Sequence, residues 1–129
     1  MSNQAKMQID DREGLRQSFM RLGLPRRLGE LAAGLSTVRS VIEQNGQQNS
    51  AWFFLDESAR FIEWLAPDVQ SHWQADWLKL KQELATWLAD WPATWNNVEQ
   101  RNAVATQTGL WCDKFVQHSG LLDPEVNPR

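Results

Sequence analysis

The chain of 129 residues has no tyrosine, one cysteine and two histidines, and each scarcity removes a class of function. Cys112 alone cannot close an internal disulfide, and it has no CxxC mate. His72 and His118 carry no HExxH or ExxH spacing, so no metal constellation is built into one helix face. No glycine-rich phosphate loop occurs. Asp, Glu, Lys or Arg interrupt every apolar stretch before the roughly 18 residues needed to span a bilayer, and membrane insertion is not expected. The opening MSNQAKMQIDD lacks the apolar core of a signal peptide, which makes the expected location cytoplasmic. Charge of one sign is scarce too, with a net of -3. Residues 1–42 carry seven Lys/Arg against four Asp/Glu, and residues 43–129 six against twelve. A basic front and an acidic back suit a folded protein with polarised faces; a nucleic-acid binder would be more strongly basic. Strand-like alternation is missing, and Asn45-Gly46 is not flanked by β-branched runs.

What the chain does have is tryptophan, eight residues of it. Trp73, Trp77, Leu80, Leu84, Trp87 and Trp91 follow a 4-3-4-3-4 spacing, which places all six on one side of a helix of about 3.6 residues per turn. This stripe predicts a helix over 67–91 that acts as the central strut. Other ladders surround it. Leu15, Phe19 and Leu22 predict a short leading helix that stops at Gly23. Pro25 opens a helix carrying Leu28, Leu31, Leu35, Val38 and Ile42, with Gly29, Ala32, Ala33 and Gly34 alongside to admit a close neighbour, and Gly46 as its stop. A third helix over 50–66 places Trp52, Leu55, Ala59, Ile62 and Leu65 in the core, with a second apolar edge of Phe54, Phe61 and Trp64. Thr94 caps a last helix through Trp95, Val98, Ala105, Thr108, Trp111 and Phe115. The expected fold is all-α: a single-domain antiparallel four- to five-helix bundle over 10–122 with a Trp-rich core, a disordered 1–9 and a flexible 123–129.

Candidate chemistry is thin. Cys112 lies between Trp111 and Phe115 and reads as a small core hydrophobe. Asp56, Glu57, Arg60 and Glu63 have the spacing of a surface ion-pair ladder rather than of an acid–base pair. Arg12, Arg16, Arg26 and Arg27, with Arg21 and Arg39 near them, offer a patch for an anion or an acidic protein segment. No nucleophile with a base, no cofactor loop and no metal set can be named, so neither enzymatic activity nor a cofactor is expected.

Three segments carry a resemblance: Leu15–Phe19 with Arg27–Ala32, then Glu57–Trp64, then Leu110–Asp113 leading to Ser119–Leu122. In this order they resemble a family of short, uncharacterised cytoplasmic helical proteins of cyanobacteria. The resemblance implies a small soluble accessory protein and supplies no family site.

The surplus of indoles points instead to recognition, because tryptophan is enriched where interfaces concentrate their energy. Trp64, Trp91 and Trp95, around Pro67 and Pro92, are the expected lining of a groove or dimer surface, with Phe54 and Phe61 beside them. The expectation is a non-enzymatic module that binds another protein or a second copy of itself. The alternative is a small-molecule binder whose indoles stack on a planar ligand or pigment.

Overall fold

A proline in the first turn and leucines at alternating three- and four-residue steps are what residues 24–43 offer, and the chain forms a 20-residue helix there. In the computed structural model, which describes residues 13–118, the helices run in order as α1 (residues 13–20), α2 (Leu24–Glu43), α3 (Gln48–Leu65), α4 (Gln74–Ala89), α5 (Trp91–Asn96) and α6 (Val98–His118). No strand occurs among the described residues, and no helix there is long and apolar enough to cross a membrane. The expected segments 1–9 and 123–129 lie outside the described residues.

α2 buries Leu31, Ala32, Gly34, Leu35, Val38 and Ile42. Its end departs from expectation in one detail. Asn45, not Gly46, takes the left-handed backbone (φ 55°), and asparagine tolerates it. The amides of Asn45 and Gly46 then donate to the carbonyls of Ile42 and Val41, at 3.2 and 2.7 Å, which closes the helix with a Schellman pair. Gly46 is needed for room, since a Cβ there would stand 2.9 Å from Val41 Cγ1.

The short turn folds α3 back against α2. Gly34 faces Ser58 at this crossing, where a Cβ on Gly34 would lie 3.0 Å from Ser58 Oγ. Of the small residues Gly29, Ala32, Ala33 and Gly34, it is Gly34 that lets the two helices approach here. Ser58 is buried and its Oγ has no hydrogen-bond partner, a cost accepted for that close packing. The α3 face selected this way is Ala51, Leu55, Ser58, Phe61, Ile62 and Leu65. Trp52, expected in the core, is 42% exposed, and Phe61, expected at an edge, is buried.

The helix expected over 67–91 is shorter at both ends. Pro67 starts only a single 3₁₀ turn, Ala66–Asp68, and after the extended Val69 and Gln70 a second one, Ser71–Trp73, precedes α4. The extended Val69 is fixed by Gln74, whose Nε2 donates to its carbonyl at 2.9 Å. At the other end Asp90 leaves helical geometry (φ −143°, ψ 58°), so Trp91 belongs to α5. The last helix is also divided. Thr94 does not cap it; Asn97 is extended, and its Oδ1 accepts from Gln100 N at 3.0 Å, starting α6.

Neighbours run antiparallel around a closed square. Arg39 of α2 passes α6 at Gly109, and Leu28 near the start of α2 lines the same cavity as Phe115 near the end of α6. Trp77 of α4 donates its indole N–H to the Ile62 carbonyl of α3 at 3.0 Å, near the end of that helix. Between α4 and α6 the contact is made by long side chains: Trp77 on Phe115 with centroids 5.6 Å apart, Trp111 Nε1 on Glu83 Oε1 at 2.8 Å, and Lys114 on Asp76 at 2.9 Å. The bundle class is as expected, but its strut is not. α2, packed closely against both α3 and α6, takes the central place, while α4 buries fully only Trp77, Leu80 and Leu84.

Candidate docking groove

Helix α3 is apolar around more of its circumference than α2 and α4 can cover. Its C-terminal half is closed by α1: Phe19 stacks on Phe61 with centroids 4.2 Å apart at 9°, and lies 5.9 Å from Trp64. Phe61 is therefore core and Trp64 half-buried. Neither is an open binding surface, because a side chain of the same protein already sits on them.

The N-terminal half of α3 has no such cover among the described residues. Trp52 and Phe53 are 42% and 54% exposed. Together with Gln48, Asn49, Leu88, Ala89, Trp91 and Pro92 they line an open groove of about 550 Å³. The floor is built by the break at Asp90, which turns Trp91 inward until only 2% is exposed. Its indole N–H donates to the Gln48 carbonyl at 3.1 Å, tying the start of α5 to the start of α3. Behind it stands Trp95 with centroids 5.8 Å apart. Arg101 holds Trp95 from two sides, its guanidinium 5.3 Å from the ring centroid and its Nη1 donating to the Trp95 carbonyl at 2.9 Å. Phe54, half-buried, sets an edge against Phe53 at 5.2 Å and 89°. The five aromatic residues expected at a site thus divide between two ends. Trp91 lines the groove, with Trp95 packed on it and Phe54 on Phe53, and Phe61 and Trp64 lie by Phe19 of α1.

The exposed apolar residues of the groove are ones that the spacing misassigned or passed over, Trp52 and Phe53, with half-buried Leu88 beside them. One signal was available, since Trp52 and Phe53 are adjacent and lie about 100° apart on a helix, so both cannot face one core. Charge is nearly absent here. Among residues 44–53 and 88–97, Asp90 is the sole charged residue.

Among the described residues the expected arginine patch does not assemble. Arg12 lies outside the described residues. Arg16 pairs with Glu13 at 3.4 Å on the surface. Arg26 is exposed, whereas Arg27 is drawn inward to Asp68 at 2.8 Å and to the Met20 sulfur at 3.7 Å. Arg27 thus clamps α2 to the turn after α3 and is spent as an anion ligand.

The remaining candidates are structural. Arg60 pairs with Asp56 at 2.8 Å, one rung of the ladder. Burial, with Glu30 adding to it, pushes the Glu57 carboxyl above its ordinary value, and Arg60 partly opposes this. Burial and the charge of Asp113 push the Cys112 thiol up, against a Ser36 hydrogen bond and Arg39, which disfavours a reactive thiolate. His72 is exposed beside Trp73; the His118 side chain is outside the described residues. No group of three potential metal ligands occurs among the described residues.

A second, smaller cavity of about 150 Å³ lies at the opposite end of the bundle, lined by Leu24, Leu28, Leu65, Asp68, Val69, Gln70, Trp73, Trp77 and Phe115.

Comparison of the chain with protein-family models, curated proteins and solved structures returned no match.

Proposed function

We propose that this protein is a non-enzymatic helical docking module, and that the groove between the start of α3 and the α4–α5 elbow receives a helical segment of another protein through one large apolar anchor. The observation that carries this reading is the pair Trp52 and Phe53, half-exposed on a helix start above the Trp91 floor. Two large aromatics in water beside an open groove forgo burial that a partner would restore, and such residues dominate binding energy when they become covered.

The chemistry of the partner is suggested by the molecule's own use of α3. A few turns along the helix, α1 covers the apolar edge by inserting one aromatic ring, Phe19, onto Phe61. A partner helix with one aromatic or long aliphatic anchor would treat Trp52 and Phe53 in the same way. The near absence of charge selects an uncharged anchor, and Asp90 at the rim favours a basic flank.

A photo-crosslinking residue at position 53, with position 110 as an equally exposed control on α6, tests the proposal in cells. Leu110 is 59% exposed. The expected product is one protein crosslinked from position 53 alone through an apolar helical segment, which as a synthetic peptide binds the native chain and loses affinity for Trp52→Ala. Crosslinks identical from 53 and 110, or a peptide that binds Trp52→Ala equally, would overturn it. A crosslink to a second copy, with a mass that doubles with concentration, would replace the foreign partner with a homodimer.

A further inference from the structure

The cavity at the other end of the bundle has a different character from the groove. It is smaller, about 150 Å³, and is walled by elements of every long helix: Leu24 and Leu28 of α2, Leu65 of α3, Trp73 before α4 and Trp77 within it, and Phe115 of α6. An enclosed apolar cavity of roughly that size holds a benzene-sized molecule; this one is partly open and has a mixed lining, apolar on most residues and polar at Asp68 and Gln70. Three of the walls are aromatic. Phe115 stands 6.1 Å from Trp73 and 5.6 Å from Trp77, with rings tilted and edge-on. One more ring would continue that arrangement at the separations aromatic pairs prefer.

Polar groups are confined to one edge. Asp68 uses Oδ2 for Arg27, which neutralises its charge and leaves Oδ1 as an acceptor, and the exposed Gln70 adds a carboxamide. The edge therefore favours a neutral ligand with one donor over an ammonium or a carboxylate. We propose that this end cavity is a binding site for a neutral, single-ring or indole-sized aromatic molecule that carries one hydroxyl or N–H group. The site is independent of the docking groove, and either can fail without the other.

Protein-observed NMR of the full chain, titrated separately with p-cresol, indole and cyclohexane, tests it. Leu28→Trp fills the cavity, and its fold is checked by the same spectra. The expected result is saturable shifts at the Trp73 and Trp77 indole N–H signals with p-cresol and indole. Cyclohexane should bind at least fivefold more weakly, and Leu28→Trp should abolish the shifts. Asp68→Ala, which removes the acceptor, should narrow the preference for p-cresol over cyclohexane. No saturable shift up to ligand solubility overturns the proposal, as do shifts that persist in folded Leu28→Trp. Shifts confined to Trp52 and Trp91 would assign the ligand to the groove and sink it as well. Binding seen only after Leu121→Ser and Leu122→Ser would show that the chain's own C-terminal segment fills the space, which also overturns it.

Discussion

The two halves of α3 both carry large aromatic residues and meet opposite fates. From Ser58 to Leu65 the aromatic residues are packed: Phe61 under Phe19, Trp64 beside it, and the Ile62 carbonyl capped by the Trp77 indole. From Gln48 to Phe54 the aromatic residues Trp52 and Phe53 stand in solvent. What differs is the element opposite: α1 delivers an aromatic ring to one, whereas the turn before the other, residues 44–47, is Gln, Asn, Gly and Gln. An apolar edge becomes core only where something covers it, and the N-terminal half of α3 has no such cover among the described residues.

The sharpest way to break this contrast is a pair of truncations on the same helix. Phe61→Ala should cost about 3–5 kcal/mol in urea unfolding, as for a buried phenylalanine that leaves a cavity. Phe53→Ala should change stability by no more than about 0.5 kcal/mol. Equal losses would erase the distinction. Phe19→Ala removes the cover itself and should cost about 3 kcal/mol, near the low end for a phenylalanine because α1 buries little else. It should also move the Trp64 indole signal, while those of Trp52 and Trp91 stay fixed. Trp52→Ala reverses the pattern, with stability nearly unchanged and affinity for the crosslinked peptide weakened by about 2 kcal/mol, the scale of an interface hot spot.

The smallest effect concerns charge beside the covered half. The Glu57 carboxyl is raised by burial and by Glu30, so its ionised form opposes folding above the raised value. Any contribution from this group is largest at low pH, where it is protonated, and is lost as pH rises through the folded-state value. Glu57→Gln should therefore stabilise the protein at pH 7 by about a few tenths of a kcal/mol, since the site is partly solvated. The gain should vanish below the ordinary glutamate range. Chemical unfolding at pH 7 and pH 3.5 reads the difference, and a gain independent of pH would exclude this cause.

Much of the bundle was legible in the sequence because its ladders are narrow. Leu31, Leu35, Val38 and Ile42, and Trp77, Leu80 and Leu84, are buried where their spacing puts them. Helix ends were less legible. Trp91 matched the stripe of α4 by spacing, yet Asp90 breaks the helix and Pro92 starts another. The break at Asn97 had a readable sign, an asparagine three residues before Gln100, which caps α6. The groove was misread because α3 is apolar over more than half its circumference, and periodicity cannot then choose a face. A contact outside the helix bears on the choice at Ser58, where Gly34 admits only a small neighbour, and on this rotation Ala51 is buried and the larger Trp52 exposed.

Hydrogen exchange of the indole N–H groups, followed by NMR on the native chain, tests the contrast most directly. Trp77 and Trp91 donate to the backbone carbonyls of Ile62 and Gln48, and their N–H signals should be strongly protected. Trp52, with 42% of its surface in solvent and no acceptor among the described residues, should exchange at nearly the rate of free indole. A Trp52 N–H protected as strongly as that of Trp77 would contradict an open N-terminal half of α3.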